Sequence, residues 1–180
     1  MKIPITLSQE FSGVLDQLEY TKDHLFITGR AGTGKSTLLQ VFRNTTKKRV
    51  VVLAPTGIAA LNVRGQTIHS FFGFPPRLLN RSEIEKRKNY RIYVNTDMII
   101  IDEVSMVRAD IIDNIDYFLR INRNVNAPFG GVQMIFFGDL FQLPPVVSTP
   151  FEKQYFQTTY PTPYFFSAQV IHHIELKMVE

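Results

Sequence analysis

Short apolar and β-branched runs alternate along this chain with longer segments whose apolar positions recur at helical spacing. His24 to Thr28, Val50 to Ala54, Met98 to Ile101 and Gln133 to Phe137 are the clearest runs, and Ile174 to Val179 is a candidate fifth. Runs this short, uninterrupted by a polar face, predict strands covered on both sides, as in a parallel sheet. Between them, Lys35 to Arg43 and Val107 to Ile121 predict helices. In the second, Ile111, Ile112, Ile115, Phe118 and Leu119 fall on one helical face, which leaves Asp110, Asp113 and Asp116 on the other. Pro75-Pro76, Pro128-Phe129-Gly130-Gly131 and Pro144-Pro145 punctuate loops. Alternating strands and helices predict an α/β fold, a three-layer parallel sheet with helices on both faces.

Composition narrows the picture. The 180 residues fit one domain, spanning 1–180, able to bury roughly 70% of its unfolded surface without staples. There is no cysteine, so disulfides, thiolate zinc sites and a thiol nucleophile are excluded. Met1 to Thr6 lacks a long apolar stretch and nowhere do apolar residues run far enough to span a bilayer. A non-secreted protein is expected, cytoplasmic in a bacterium, nuclear or mitochondrial in a eukaryote. The formal charge of +4 is a weak pointer to polyanionic partners. Nine of the twenty basic residues lie in Lys47-Lys48-Arg49 and in the set Arg77, Arg81, Lys86, Arg87, Lys88 and Arg91. Glu83 and Glu85, interspersed in the second set, favour a solvated face there.

In a parallel sheet, ligands collect beyond the carboxyl ends of the strands. The residues after Thr28, Ala54, Ile101 and Phe137 should therefore carry the chemistry. After the first comes Gly29-Arg-Ala-Gly-Thr-Gly-Lys-Ser36, a G-x-x-x-x-G-K-S pattern between strand and helix. Its glycines permit a backbone path that turns N–H groups onto phosphate oxygens, Lys35 supplies a cation and Ser36 a hydroxyl for Mg²⁺. The nucleotide-contact set is Gly29, Gly32, Thr33, Gly34, Lys35, Ser36 and Thr37. A mere glycine turn would leave Lys35 unexplained.

After the third strand, Asp102 and Glu103 follow four apolar residues. Carboxylates at a buried strand end need a metal, a proton or a cation. Asp102 is assigned to the Mg²⁺ shell with Ser36, and Glu103 to the base that orients water for attack on a γ-phosphate. A cap on a helix at Ser105 would use the same two side chains. After the fourth strand, Gln142 can donate to and accept from a γ-phosphate oxygen or the attacking water. An exposed glutamine is the plain alternative, against which the rigid Leu143-Pro144-Pro145 speaks. After the second strand, Thr56, Thr67 and Ser70 suit helix starts, where a hydroxyl can also hold a phosphodiester. With His69 and Phe71-Phe72 nearby, these positions read as a track for a single strand. Capping accounts for each hydroxyl, and a core place for His69 and the phenylalanines.

Taken in order, Gly29 to Thr37, Ala54 to Ala60, Thr67 to Phe72, Ile99 to Val107 and Gly130 to Val146 resemble the motifs of superfamily-one DNA helicases of the PIF (petite integration frequency) family, close to the RecD-like branch. The strings Ala-Pro-Thr-Gly-Ile-Ala-Ala, Ile-Ile-Asp-Glu-Val-Ser-Met-Val and Gly-Asp-Leu-Phe-Gln-Leu-Pro-Pro-Val are far more specific than the phosphate loop. The resemblance implies a P-loop NTPase domain of RecA-like fold, ATP and Mg²⁺ as cofactors, single-stranded DNA as partner, 5′-to-3′ translocation and a role in genome maintenance such as DNA repair and recombination. It makes Lys35, Glu103 and Gln142 catalytic, Ser36 and Asp102 metal ligands, and Thr56, Gly57, Thr67, His69 and Ser70 contacts to the DNA backbone. The glutamine that reads adenine in the family aligns near Phe11, with Gln9 two residues earlier. The resemblance also implies a second RecA-like domain with an arginine finger beyond Glu180, so that the present chain alone is nearly inactive. A small P-loop nucleotide or metabolite kinase and a non-catalytic nucleic-acid module are the alternatives.

Overall fold

The structure, a computed structural model, describes residues 9–30 and 32–180; Met1 to Thr6, read above for a leader, lie outside the described residues. Six strands, β1 (His24–Ile27), β2 (Val50–Ala54), β3 (Gln66–Thr67), β4 (Met98–Ile101), β5 (Gln133–Phe137) and β6 (Leu176–Val179), form one sheet in the order β3-β2-β4-β5-β1-β6. Every adjacent pair is parallel. The helices are α1 (Gln9–Tyr20), α2 (Lys35–Thr45), α3 (Gly57–Asn62), α4 (Ile68–Phe72), α5 (Arg91–Val94), α6 (Ala109–Arg123) and α7 (Pro150–Thr159).

Strand alternation builds two cores. Leu25, Ile27, Met98, Ile100, Ile135 and Phe137 face one side with Leu18 of α1 and Leu38, Leu39 and Phe42 of α2. Phe26, Ile99, Ile101, Met134 and Phe136 face the other with α4 and α6. The period of two along a strand requires this split, and it explains why the central runs are apolar at every position. The three-layer α/β expectation therefore holds, and the predicted strands fall where expected. The fifth begins at Leu176, because Ile174 closes the preceding 3-10 turn with its N–H on Ile171 O. Helix α6 begins at Ala109, because Val107 closes a 3-10 turn on Val104 O and Arg108 is extended.

The face of α6 that carries Asp110, Asp113 and Asp116 lies opposite the apolar one, as its spacing predicts, yet it is not a solvent face. All three are buried. Asp113 accepts from Tyr160 Oη at 2.8 Å and from the N–H groups of Gln169 and Val170 at 3.0 and 2.9 Å. Asp116 accepts from Arg120 and from the Phe129 N–H, and Asp110 takes two bonds from Arg108 at 2.9 Å. The helix is covered on both sides; Asp113 and Asp116 satisfy backbone donors of the segments that cover it, and Asp110 the Arg108 guanidinium.

The first basic run is largely structural, while all six residues of the second are exposed, as the interspersed glutamates predict. Lys48 Nζ donates to Leu18 O, Thr21 O and Gln133 Oε1, and its burial lowers its pKa. Arg49 clasps Asp97 with two bonds of 2.9 and 2.8 Å. In the second set, Arg77 pairs with Glu83, and Arg87 donates to Phe72 O and Gly73 O.

His24, at the start of β1, accepts the Met134 N–H on Nδ1 at 3.0 Å and lies beside the Phe129 ring, with Asp23 the adjoining charge. Burial holds its pKa below the ordinary histidine value, Asp23 opposing. The unfolded chain then binds more protons than the folded one once pH drops below about 6.5, so stability falls as pH falls through that value. His69, also lowered chiefly by burial, acts in the same direction. The thermal midpoint is expected to drop between about pH 7.5 and 5.5, and His24→Gln to flatten that drop; an unchanged pH profile in the variant would remove His24 as its source.

Candidate active site

Strand β1 is tied at its end on both flanks, by Thr28 N–H to Val179 O at 2.9 Å and by Gly138 N–H to Ile27 O at 3.2 Å. The chain then turns through the Gly29 to Ser36 loop. Gly34 stands immediately before α2 with φ 94°, a left-handed conformation open to glycine without a Cβ penalty. A Cβ at Gly29 would lie 2.8 Å from Thr33 Oγ1. The Thr33 hydroxyl is turned into the loop, donating to Arg30 O at 2.9 Å. Lys35 Nζ reaches back over the loop to Gly29 O and to Arg30 O, the latter at 3.0 Å. Gly34, at the N-cap of α2, makes no side-chain cap bond, and helix geometry leaves the first-turn N–H groups, those of Lys35, Ser36 and Thr37, aimed out of the N-terminus.

Two strands away, the end of β4 is fixed by Asp102 N–H to Leu53 O at 2.9 Å. Burial pushes the Asp102 carboxyl up, and the Glu103 charge adds to this, while the Glu103 N–H and the Lys35 ammonium pull it down. Lys35 and Asp102 are thus close enough for their charges to act on each other. Glu103 has φ 51° and ψ 41°, left-handed for a residue with a Cβ, at a cost of about 1 to 2 kcal/mol. It precedes the 3-10 turn Val104–Met106, but its side chain makes no capping bond there. The helix-cap alternative is therefore unsupported for Glu103. Ser36, Asp102 and Glu103 share one groove of about 470 Å³ with Arg43 and Arg64.

Gln142 stands apart from that groove. It is exposed, and it hangs from Asp139, donating through its N–H to Asp139 O at 3.0 Å and through Nε2 to Asp139 Oδ2 at 3.3 Å. Leu143 and Pro144 are exposed as well, and only Pro145 is buried. This corrects the expectation that the proline pair would keep Gln142 off the surface.

Thr56 caps α3 by accepting from Ala59 N–H, and Thr67 caps α4 by accepting from Ser70 N–H. Gly57 and Ser70 are exposed at the two helix starts. Thr56 and His69 line a second groove, of about 270 Å³, with Arg77 and Arg108; Gly57, Thr67 and Ser70 are not among the described residues that line it. Phe71 and Phe72 are not available for stacking on a base. They are buried with Phe74, Tyr93 and Phe118 in an aromatic cluster. Residues 71 and 72 sit on the inner side of α4, and two adjacent large rings on so short a helix both turn into the core.

With this geometry in place, comparison with known proteins is decisive. The family model described as PIF1-like helicase matches residues 6–179. The chain belongs to the PIF1-like helicase family. It is 40% identical over 163 residues to the ATP-dependent DNA helicase PIF1 of Saccharomyces cerevisiae (strain YJM789), an alignment covering 83% of this chain and 18% of that protein. The human ATP-dependent DNA helicase PIF1 is 39% identical over 145 residues, covering 78% and 22%. Among solved structures, a Pif1 helicase from Bacteroides in complex with ADP-AlF3 and ssDNA superposes with TM-score 0.89 at 38% identity, covering 98% of this chain and 42% of that one. The chain thus spans about a fifth of the length of these curated relatives. The RecA-like parallel sheet is shared with those PIF1-like structures, and the small-kinase alternative is set aside.

Sequence reasoning passed over the guanidinium groups that complete both grooves of this PIF1-like fold. Arg43 was legible: Ser36, Gln40 and Arg43 recur at helical spacing and all line the groove that holds Asp102 and Glu103. Arg77 and Arg64 lie outside any periodic segment and Arg108 falls at the extended start of α6, so only the folded chain brings them in. Phe11, where the family's adenine-reading glutamine aligns, packs against the core that α1 and α2 share, and Gln9 is exposed at the first position of α1.

Proposed function

We propose that residues 1–180 form the first RecA-like motor domain of an ATP-dependent DNA helicase, which couples ATP hydrolysis to 5′-to-3′ movement on single-stranded DNA when joined to a second RecA-like domain. The observation that carries this is the convergence of Ser36, Asp102 and Glu103 on one groove, with the Lys35 charge acting on Asp102. Supporting it, relatives of the same family are named as ATP-dependent DNA helicases.

The donor set fits Mg²⁺ bound with a nucleotide. Asp102 is half-buried, and a carboxylate whose proton affinity is raised by desolvation gains most from a cation. Among the described residues no three His, Asp or Glu side chains gather into a metal cage, and Mg²⁺ on phosphates needs only one or two protein groups. Ser36 and Asp102 would hold it. Bound there, Mg²⁺ would neutralise charge on the phosphate oxygens. Lys35 and the first-turn N–H groups of α2 bind the polyphosphate, Lys35 leaving its carbonyl partners to do so. Glu103 orients the attacking water and takes its proton. Gln142 exchanges its Asp139 bond for one to the terminal phosphate. Thr56, Gly57, Thr67, His69 and Ser70 hold the DNA backbone, beside Arg77 and Arg108. Turnover by this domain alone is slow, since an arginine finger is worth roughly 10³ to 10⁵ in rate in related hydrolases. Among the described residues, no helix is long and apolar enough to cross a membrane.

Titrating a single-stranded oligonucleotide into the protein at rising salt tests the DNA arm. Three or four phosphate contacts give a log-log slope of about −2 to −3, at roughly 0.7 per contact. A flat salt response, or no binding of MgATP, would overturn the assignment.

A further inference from the structure

The nucleotide-side groove does not end at the carboxylates. It continues between α2 and the end of α3, past Asn62, to Arg43 and Arg64. Its two ends have opposite character, acidic at Asp102 and Glu103 and basic at the two guanidinium groups. Neither arginine pairs with an acidic side chain among the described residues. Arg43 spends its donors on neutral carbonyls, Val63 O and Arg64 O, which leaves its charge uncompensated. Arg64 is exposed, and its guanidinium has no hydrogen-bond partner among the described residues.

The turn that carries Arg64 is built to hold it there. Arg64 has φ 51°, a left-handed conformation that is unfavourable for a residue with a Cβ. The turn is fixed by Arg64 N–H to Leu61 O at 3.1 Å, by Gly65 N–H to Ala60 O at 2.8 Å and by the Arg43 bonds from α2. Gly65 packs so closely on β2 that a Cβ would collide with Val52 O. A strained arginine, clamped by a second arginine and without a counter-ion, lines a groove continuous with the two carboxylates.

We infer that the Arg43–Arg64 end of this groove is a binding site for inorganic phosphate, the anionic product of the hydrolysis proposed above, on which this inference rests. Cleavage at the Ser36, Asp102 and Glu103 end yields a free phosphate anion in the same groove. The paired guanidinium groups offer it charge-assisted hydrogen bonds along the way to solvent. Arg64 acts here as a product-binding residue and takes no part in the bond cleavage.

The test is calorimetric titration of inorganic phosphate into the MgADP-loaded protein. Saturable binding is expected, weakened about tenfold in Arg64→Asn, the weight of one charge-assisted hydrogen bond. Asparagine tolerates positive φ, so the thermal midpoint should hold, and Arg64→Lys should recover part of the affinity. Equal phosphate affinity in Arg64→Asn and the unsubstituted protein would overturn the site. So would loss of oligonucleotide binding in Arg64→Asn with phosphate binding intact, which would give the groove to a DNA phosphodiester instead. Lys35→Ala separates the two levels: MgADP binding that ignores this substitution would sink the nucleotide site itself and the product site with it.

Discussion

Glu103→Gln should leave MgATP bound and slow its hydrolysis by about 10² to 10⁴-fold, the contribution of a positioned general base. The amide preserves size and hydrogen-bonding reach but cannot take a proton. Because Glu103 stands at φ 51°, a loss of rate could also come from a relaxed backbone. Glu103→Asn separates the causes, since asparagine accepts the left-handed conformation but holds its shorter side chain back from the water. Both variants should lose rate, and the Gln variant should keep the thermal midpoint. Removing the neighbouring negative charge also lowers the proton affinity of Asp102, which that charge now helps to raise. Lys35→Ala differs in kind: it should weaken MgATP binding itself by about 10 to 150-fold, the value of a hydrogen bond between charged groups. Single-turnover hydrolysis and equilibrium binding, measured side by side, check all three. Unimpaired hydrolysis by Glu103→Gln would show that another group activates the water.

The largest expected loss of stability lies away from the site, at Asp113. Asp113→Ala removes the acceptor from the Tyr160 hydroxyl and from the Gln169 and Val170 N–H groups together. Each buried donor left without a partner costs about 1 to 3 kcal/mol, so a loss of about 3 to 5 kcal/mol is expected after partial relaxation. For a chain of this size that is a fall of roughly 6 to 20 °C in thermal midpoint. Burial, reinforced by the Asp113 charge, pushes the Tyr160 phenol well above its usual range, so the tyrosine remains a neutral donor. Tyr160→Phe, which deletes one of the donors and leaves the others paired, should cost about 1 kcal/mol. Chemical denaturation of the two variants decides whether Asp113 is the anchor of the segments after α7. Equal losses would place the stability in the tyrosine.

Asp113 also shows where pattern reading stops. Spacing along α6 separates an apolar face from an acidic one, and it does so correctly for Ile111, Ile112, Ile115, Phe118 and Leu119, all buried. It carries no information about a second layer of chain, from α7 onward, that covers the acidic face too. Phe71 and Phe72 fail in the same way: adjacent aromatic residues after a hydroxyl-rich stretch fit a stacking surface as well as a core, and the aromatic cluster around Phe118 decides for the core. Helix α1 lay in plain view, with Phe11, Val14, Leu15 and Leu18 at helical spacing, and all four pack on the α2 side of the sheet.

The sequence by itself determined the four central strands, the phosphate loop and the carboxylate pair, because each is local: a few consecutive side chains dictate backbone conformation or chemistry without knowing their neighbours. Tertiary structure decided which loops meet. It joined Ser36 to Asp102 and Glu103 through a strand order that differs from chain order, drew Arg43 and Arg64 to the same groove, and left Gln142 bonded to Asp139 outside it. Those placements depend on contacts between residues far apart in the chain, whose geometry comes from the packing of the sheet and its helices and from no single stretch of residues.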